Sequence, residues 1–461
     1  MSAGTALGAS TARLRLSRYD VVVERGDKVW VHNGLSGRIV AVAADEWREV
    51  GLFLAGESSR ASTEILRELT VGRMIVADDL DELEVLERRY RAGTADRSSF
   101  GLTIVTSLGC NFDCPYCFQV KPSEVLDAET ERLLLEVLDE QLPTIRQFEV
   151  TWYGGEPLLG KDRIYRLSEA FLERCDAGHI AYSASIVTNG YLLTRETAER
   201  LRACRVGSAQ ITLDGPPESH DLMRPLKNGR PTFDAILDNV VESASVLPIA
   251  IRVNLDASNS GEHERLLDLL VDRGLSGRVT VYPGRIVAYD EGIGAPSESY
   301  RPTCYTLPEF AGVERDFLAQ ARARGLASTT LPQPISTPCT AVRVNELVVG
   351  ARGELYKCWD SVGNHHEVVG HLRSWKDPND RALKWLHYDP FTDEGCRSCI
   401  ALPGCMGGCA HHQMIDPGDS KCSTYRLTYR QQVEEYVAAA EAAGSGAGPR
   451  HPLLPIVTVN T

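Results

Sequence analysis

The sequence predicts an α/β protein whose largest part is an open or partial barrel of six β-α units, (β/α)6. Three observations support this prediction. Six apolar runs alternate with helical patterns in the middle of the chain, short strands and helices occupy the first hundred residues, and cysteines become dense beyond about residue 330. We therefore expect a small α+β domain at 1–95, the partial barrel at 100–330, a cysteine-rich extension at 331–430 and a flexible tail at 438–461.

The first domain begins with two strand-like runs, VVVE and VWVH, separated by RGDK, which predict a hairpin. Helical patterns follow at 45–54, 64–69 and 80–91, with an apolar strand GRMIV before the last. This combination is typical of a winged-helix-like domain. Acidic residues outnumber basic ones here, so a domain that holds a peptide by adding a strand is favoured over one that binds DNA. The alternative is an embellishment that only packs on the rest of the chain.

The predicted barrel strands are LTIVTSL, FEVTWYG, AYSASIVT, SAQITLDG, IAIRVNLD and RVTVYPG. Helical patterns at 128–140, 195–203 and 235–245 lie between them. Alternation of this kind indicates a parallel sheet with helices outside it, and right-handed crossovers curl such a sheet toward a barrel. Functional side chains then belong on the loops at the carboxyl ends of the strands.

Composition narrows the class of protein. The formal net charge of −14 argues against a nucleic-acid partner, whose phosphates attract basic surfaces. No apolar run reaches the length of a membrane span, and the first residues lack the apolar region of a secretory signal, so a cytoplasmic location and no membrane partner are expected. In that reducing compartment, 13 cysteines predict metal binding or chemistry rather than disulfides.

Three cysteines follow the first barrel strand with the spacing C-x3-C-x2-C: Cys110, Cys114 and Cys117. Three thiolates on one loop can hold three irons of a [4Fe-4S] cluster and leave the fourth iron open. A zinc knuckle or buried thiols are the alternatives, but zinc usually takes four ligands and no fourth Cys or His lies nearby. With Tyr116 before the third Cys, the motif resembles that of the radical S-adenosylmethionine (SAM) family. This resemblance implies that SAM binds the open iron and is cleaved to a 5′-deoxyadenosyl radical.

The second barrel strand ends in WYGGEP, which also resembles the radical SAM family. The resemblance implies that Gly154 and Gly155 let the backbone approach SAM closely and that Glu156 accepts its ammonium group. Tyr116 is expected beside the adenine, or else in ordinary core packing.

Three more strand ends carry polar candidates for the SAM or substrate pocket. Asn189 and Asp214 could bind ribose hydroxyls or substrate, although Asn-Gly and Asp-Gly also form ordinary turns. Arg252 on the fifth strand would pair with the SAM carboxylate or form an ion pair inside the barrel.

Seven cysteines after the barrel have the pattern C-x13-G-x4-C, a gap, C-x2-C-x5-C-x3-C, a gap, then C, with Gly353 as the glycine. This resembles the SPASM extension of radical SAM peptide-modifying enzymes, which holds two auxiliary [4Fe-4S] clusters. The resemblance implies an outer cluster on Cys396, Cys399, Cys405 and Cys422. It implies an inner cluster on Cys339, Cys358 and Cys409. A zinc ribbon is the alternative.

The inner cluster lacks a fourth ligand in this scheme. Cys304 could supply it, or an iron stays open for a substrate thiolate. Cys175 and Cys204 fall in helical segments and are expected to be inert buried thiols. Four histidines near the extension are expected at the surface or behind the ligands: His365, His366, His411 and His412.

Together these features predict a radical SAM maturase that installs a thioether, carbon–carbon or ether crosslink in a ribosomally made precursor peptide. The peptide would bind through the N-terminal domain, and an external donor of the ferredoxin or flavodoxin type would supply electrons. Formylglycine formation, as in anaerobic sulfatase maturases, is the alternative. In those enzymes an Asp follows the Cys that matches Cys358, whereas here Trp359 stands there and Asp360, our candidate catalytic residue, is one position further. A zinc-stabilised winged-helix regulator is the alternative of another class.

Overall fold

The computed structural model describes residues 13–117, 119, 123–287, 303–415 and 422–442. It contains a two-stranded sheet, a three-stranded sheet and a nine-stranded sheet. Among the described residues, no helix has the length and apolar character that crossing a membrane requires.

The N-terminal part has the predicted hairpin and three helices. Strands β2 and β3 pair antiparallel around a tight turn at Gly26, and β4 continues the sheet in the order β2-β3-β4. Strand β1 pairs with β5, which precedes the third helix. The bounds are β1 Leu14–Leu16, β2 Asp20–Arg25, β3 Lys28–Asn33, β4 Arg38–Ala43, α1 Ala44–Leu54, α2 Thr63–Val71, β5 Ile75–Ala77 and α3 Glu82–Ala95.

The six predicted barrel strands are present and parallel, and strands that follow one another along the chain also lie side by side in the sheet. This confirms the partial barrel. The strands are β6 Ser99–Ser107, β7 Gln147–Gly154, β8 Ala181–Thr188, β9 Val206–Thr212, β10 Ile249–Leu255 and β11 Val279–Arg285. The helices between and after them are α4 Ala128–Gln141, α5 Lys161–Gly178, α6 Arg195–Ala203, α7 Pro217–Met223, α8 Phe233–Ser243, α9 His263–Asp272 and α10 Leu307–Ala323.

Three strands of the cysteine-rich extension join the barrel sheet, which the sequence did not predict. Strand β12 pairs parallel with β6 from Glu346↔Gly101 onward, and β13 and β14 follow it antiparallel. The extension is therefore built directly onto the strand that carries the first cysteine motif. Its elements are β12 Glu346–Val349, β13 Glu354–Tyr356, β14 Gly370–His371, α11 Asp380–Leu386, α12 Glu394–Arg397, α13 Leu402–Cys405, α14 Ala410–Ile415 and α15 Tyr425–Ala442.

The main core lies between the barrel strands and their helices. Alternate strand residues point into it, such as Phe148, Val150 and Trp152 on β7, and meet helix residues such as Phe171 on α5. Cys175 and Cys204 are buried in this core, as expected. Burial of many such side chains at ~25 cal/mol per Å² stabilises the scaffold on which the strand-end loops are fixed.

The N-terminal part packs against the end of the chain. Leu86 on α3 contacts a core shared with Phe391 and Met406, and Trp30 on β3 packs with Val433 on α15. The predicted tail begins too early, because α15 continues to Ala442 and Ala440 on it is buried. Apolar alanines on one face of this helix are covered by the three-stranded sheet. The rest of the predicted tail, 443–461, lies outside the described residues.

Candidate active site

The first cysteine motif follows the carboxyl end of β6, and its three cysteines, Cys110, Cys114 and Cys117, line an open cleft. The loop that carries them is tied to the segment between α7 and α8. Asp113 donates its N–H to the carbonyl of Pro225 (2.9 Å), and Phe112 is fully buried. The position at the strand ends is the one the barrel prediction required.

Gly154 and Gly155 are required by the backbone of that loop. A Cβ on Gly154, whose φ is 141°, would lie 2.1 Å from the carbonyl oxygen of Ser107. A Cβ on Gly155 would lie 2.5 Å from the carbonyl oxygen of Leu108 and 2.7 Å from that of Gly109. The glycines also line the cleft. Their first role is to let β7 approach the start of the cysteine loop, in addition to any approach to SAM.

Glu156 is fully buried and ties β7 to the end of β8. Its carboxylate accepts hydrogen bonds from the N–H of Leu158 (2.9 Å), the hydroxyl of Thr188 (2.7 Å) and the N–H of Asn189 (2.7 Å). Burial raises the pKa of this carboxyl, and these hydrogen bonds counteract the shift. Its contact with the SAM ammonium group stays a prediction.

Asn189 is held by this arrangement and turns its amide toward the cysteine loop. Its Nδ2 donates to Asn111 Oδ1 (2.8 Å) and lies 3.9 Å from Cys110 Sγ, while Oδ1 accepts from the N–H of Tyr191 (3.0 Å). It lines the cleft, so it remains available to a ligand there. A donor next to a cluster sulfur also tunes the cluster electrostatically.

Tyr116 and Asp214 meet in a buried polar network. The Tyr116 hydroxyl donates to Asp214 and accepts from Arg224 and from Asn254 Nδ2 (3.3 Å). Asp214 is fully buried and is absent from the cleft lining, while Arg224 and Tyr116 line the cleft. The Asp214 carboxylate balances Arg224, 3.7 Å away. Binding of ribose or substrate by Asp214 stays a prediction.

Arg224 is a site residue that sequence reasoning did not single out. Its guanidinium lies over the Phe112 ring, 5.7 Å from the centroid, so it packs against the cysteine loop at that residue. The sequence feature that could have pointed to Arg224 is the segment HDLMR at 220–224. His220 in that segment accepts the N–H of Asp214 (3.2 Å), and Asp221 accepts the N–H of Thr232 (2.8 Å).

Arg252 lines the cleft from β10. Its Nε donates to Asn254 Oδ1 (2.8 Å), and the side chain crosses Gly284, where a Cβ would lie 2.5 Å from that Nε. Its placement fits the prediction of an anion contact in the cleft.

The extension contributes Trp359 and Asp360 to the lining of the cleft. Trp359 stacks on Tyr153, with ring centroids 5.4 Å apart and an interplanar angle of 16°. Asp360 is largely buried. The first cysteine motif and the candidate catalytic residue therefore face one space.

Cysteines of the extension lie near one another. Burial raises the pKa of the Cys358 thiol well above its usual value, and the neighbouring Asp360 carboxyl and the thiols of Cys409 and Cys339 add to this. Burial raises the pKa of Cys405 to about 11, with further contributions from Cys399 and Cys422. Cys396, Cys405 and Cys409 all lie near Tyr388. The division of the seven cysteines into two ligand sets stays a prediction.

The histidines divide into two kinds. His365 and His366 are exposed, as expected. His411 and His412 are buried, and a ligand atom of His411 lies within 4.8 Å of those of Cys358 and Asp360, which the sequence did not predict. Cys304 follows Thr303, whose carbonyl accepts the N–H of Ala257 beyond β10 (3.0 Å). Its role as a fourth ligand of the inner cluster stays a prediction.

The donor set fits the cofactors. Three thiols line the cleft together with polar groups that can bind SAM, and further thiols lie near one another in the extension, which suits soft iron ligands. A [4Fe-4S] cluster, SAM and auxiliary clusters are the cofactors to expect.

Comparisons with known proteins agree with this site. Residues 104–270 match the model of the radical SAM superfamily. The serine-type anaerobic sulfatase-maturating enzyme of Bacteroides thetaiotaomicron is 30% identical over 140 residues, 28% of this chain and 33% of that protein. The enzyme of the same description from Klebsiella aerogenes is 28% identical over 348 residues, 68% of this chain and 80% of that one.

The chain thus spans about a third of the length of the first of these relatives. A solved structure, native anSMEcpe with bound AdoMet and Kp18Cys peptide, has the same fold with a TM-score of 0.55 and 18% identity, and the match covers 74% of this chain and 98% of that one. The match to the radical SAM superfamily covers residues 104–270, which hold the first cysteine motif and the strands β7 to β10.

Proposed function

We propose that the protein is a radical SAM enzyme that removes a hydrogen atom from a precursor peptide and installs a thioether, carbon–carbon or ether crosslink. The observation that carries this proposal is the shared cleft, which Cys110, Cys114 and Cys117 line together with Trp359 and Asp360 of the extension. When bound at the three thiolates, the cluster and SAM would supply a 5′-deoxyadenosyl radical.

The chain's own residues have separate tasks in this proposal. Arg252 binds an anionic group of SAM, and Asn189 orients the ligand beside Cys110. Tyr153 and Trp359 exclude water and present flat apolar faces to the substrate. Closing a bond between a carbon radical and an X–H group releases a proton and one electron. Asp360, which lines the cleft, would accept the proton, and an auxiliary cluster would take the electron.

The peptide is proposed to dock on the N-terminal domain. In the described residues the sheet ends at β4, which has β3 on one side and no strand on the other. An extended peptide can pair with the free backbone groups of such an edge. The electrons for SAM cleavage would come from an external donor of the ferredoxin or flavodoxin type.

Formylglycine formation is the second candidate, because two relatives carry the description of sulfatase-maturating enzymes. In that reaction Asp360 would again accept the proton. The two candidates differ in the peptide that is consumed and in the mass change of the product.

The test is an anaerobic incubation of the full chain with SAM, dithionite and peptide. We expect 5′-deoxyadenosine in every case, a loss of two hydrogens from a precursor peptide encoded beside this protein, and no change in a sulfatase-motif peptide. Oxidation of the sulfatase peptide alone would favour the second candidate, and absence of 5′-deoxyadenosine with both peptides would contradict both.

A further inference from the structure

The inner group of cysteines is one ligand short. The outer group has four thiols, Cys396, Cys399, Cys405 and Cys422, whereas Cys339, Cys358 and Cys409 form a group of three. A [4Fe-4S] cluster takes one terminal ligand on each iron, so three thiolates leave one iron without a protein ligand. The question is which side chain, if any, stands at that position.

Two further ligand-forming side chains lie beside Cys358. One ligand atom each of Cys358, Asp360 and His411 all lie within 4.8 Å of one another. Imidazole and carboxylate are both ligands that iron accepts. Because one iron is open in this group, one of the two side chains completes the set and the other is left for another task.

His411 is fixed in the position of a ligand. It follows Cys409 by two residues, at the start of α14, so the same backbone carries the thiol and the imidazole to one place. Its ring lies parallel to that of Trp385, with centroids 5.9 Å apart and an interplanar angle of 6°. Trp385 is itself buried, so the ring orientation is set by packing before any metal arrives.

Asp360 and His411 differ in their access to the cleft. Asp360 lines the cleft beside Trp359, whereas His411 is 5% exposed and is not among the lining residues. A carboxylate that lines the cleft can accept a proton from substrate there. The imidazole is therefore the better candidate for the metal ligand.

We propose that His411 is the fourth protein ligand of the inner auxiliary cluster, through one ring nitrogen. This inference rests on the auxiliary clusters of the proposed function. It has a consequence for substrate: a fully ligated inner cluster has no iron open to a substrate thiolate. Replacement of one thiolate by neutral imidazole also raises the reduction potential of a cluster, as His ligation does in Rieske centres.

The test is pulsed EPR on the full chain with Cys110→Ala, Cys114→Ala and Cys117→Ala, so that only auxiliary clusters remain. The protein is prepared with natural-abundance and with ¹⁵N-labelled histidine, and is reduced with dithionite. His411→Ala and the matched control His412→Ala, a buried neighbour on the same helix, are compared in this background.

We expect a strongly coupled histidine nitrogen in the parent and in His412→Ala, and its loss in His411→Ala. Iron–sulfur signals without such a coupling, or a coupling that persists in His411→Ala, would overturn the inference while leaving the auxiliary clusters in place. Absence of iron and of any EPR signal in the parent would overturn the auxiliary clusters as well.

His411→Cys keeps the inference testable if the alanine variant does not fold. A thiolate at this position restores a four-cysteine set, so we expect the cluster to be retained and its midpoint potential to shift to a lower value. An unchanged potential in a fully loaded His411→Cys protein would contradict ligation by His411.

Discussion

Gly154 and Gly155, at the end of β7, leave room for the backbone of the cysteine loop. Gly155 donates its N–H to the carbonyl of Ser107 (2.9 Å), and Glu156 donates to the carbonyl of Gly109 (2.9 Å). These bonds fix the backbone that leads into Cys110. The WYGGEP motif was recognisable in sequence, but its contacts were not, because a motif does not reveal whether a glycine makes room for a ligand or for another strand.

We expect Gly155→Ala to impair the first cluster. Its Cβ would meet two backbone oxygens of the cysteine loop, so the loop must shift. Iron content should fall by about one cluster, and 5′-deoxyadenosine formation should fall more than tenfold, measured by iron analysis and product chromatography. Gly312→Ala on α10 is the control, since a Cβ there meets nothing within 4 Å. Equal activity of the two variants would contradict this role.

Asp360 is the proposed proton acceptor of the crosslinking reaction. We expect Asp360→Asn to release 5′-deoxyadenosine while forming crosslinked peptide at least ~10²-fold more slowly, because an amide cannot accept the proton. The ratio of product to 5′-deoxyadenosine measures this uncoupling. Asp377→Asn, an exposed position on the same extension, should keep the ratio. An unchanged ratio in Asp360→Asn would rule out Asp360 as the proton acceptor.

At the scale of elements, the strands of the barrel were predictable and the strands of the extension were not. Runs such as AYSASIVT on β8 are long, apolar and bounded by turn residues. By contrast, β12, β13 and β14 have only two to four residues each. Strand β12 is defined by its pairing with β6, and the paired residues, such as Glu346 and Gly101, are more than 240 positions apart in the chain. Local pattern cannot reveal a contact at that separation. The burial of Glu156, Asp214 and His411 depends on such contacts too.

The β6–β12 pair gives a test at this scale. A Cβ on Gly101 would lie 1.8 Å from Oε2 of Glu346, which is buried and pairs with Arg343 at 2.8 Å. We expect Gly101→Ala to lower the free energy of unfolding by about 1–3 kcal/mol. Gly207→Ala on β9, where the nearest atom is 3.5 Å away, should change it by less than about 0.5 kcal/mol. Chemical denaturation followed by circular dichroism measures both, and equal effects would contradict the tight pairing.

At the scale of the whole molecule, the N-terminal part is packed onto the cysteine-rich extension. Sequence analysis divided the chain into the same parts but left open whether the first only embellishes the rest. In the structure Leu86, Phe391, Cys396 and Met406 share one core, so a leader peptide bound to the N-terminal part would sit on the element that carries the outer cysteines.

We expect Leu86→Ala to loosen the outer cluster. The substitution leaves a cavity in the core to which Cys396 also belongs and costs about 2–5 kcal/mol. Iron release to a chelator should be faster in this variant. Leu69→Ala is the control, because Leu69 is equally buried but packs only with other N-terminal residues such as Val29 and Met74. Equal rates of iron release from the two variants would contradict the claim that packing at Leu86 stabilises the outer cluster.

The central claim is that Cys110, Cys114 and Cys117 hold a cluster whose open iron binds SAM. The most direct measurement is the EPR spectrum of the anaerobic, dithionite-reduced full chain before and after SAM is added, together with 5′-deoxyadenosine formation. We predict a [4Fe-4S]⁺ signal that changes with SAM, with both the change and the product lost in the Cys110→Ala, Cys114→Ala and Cys117→Ala protein. A spectrum that SAM leaves unchanged, with no 5′-deoxyadenosine formed, would contradict the account.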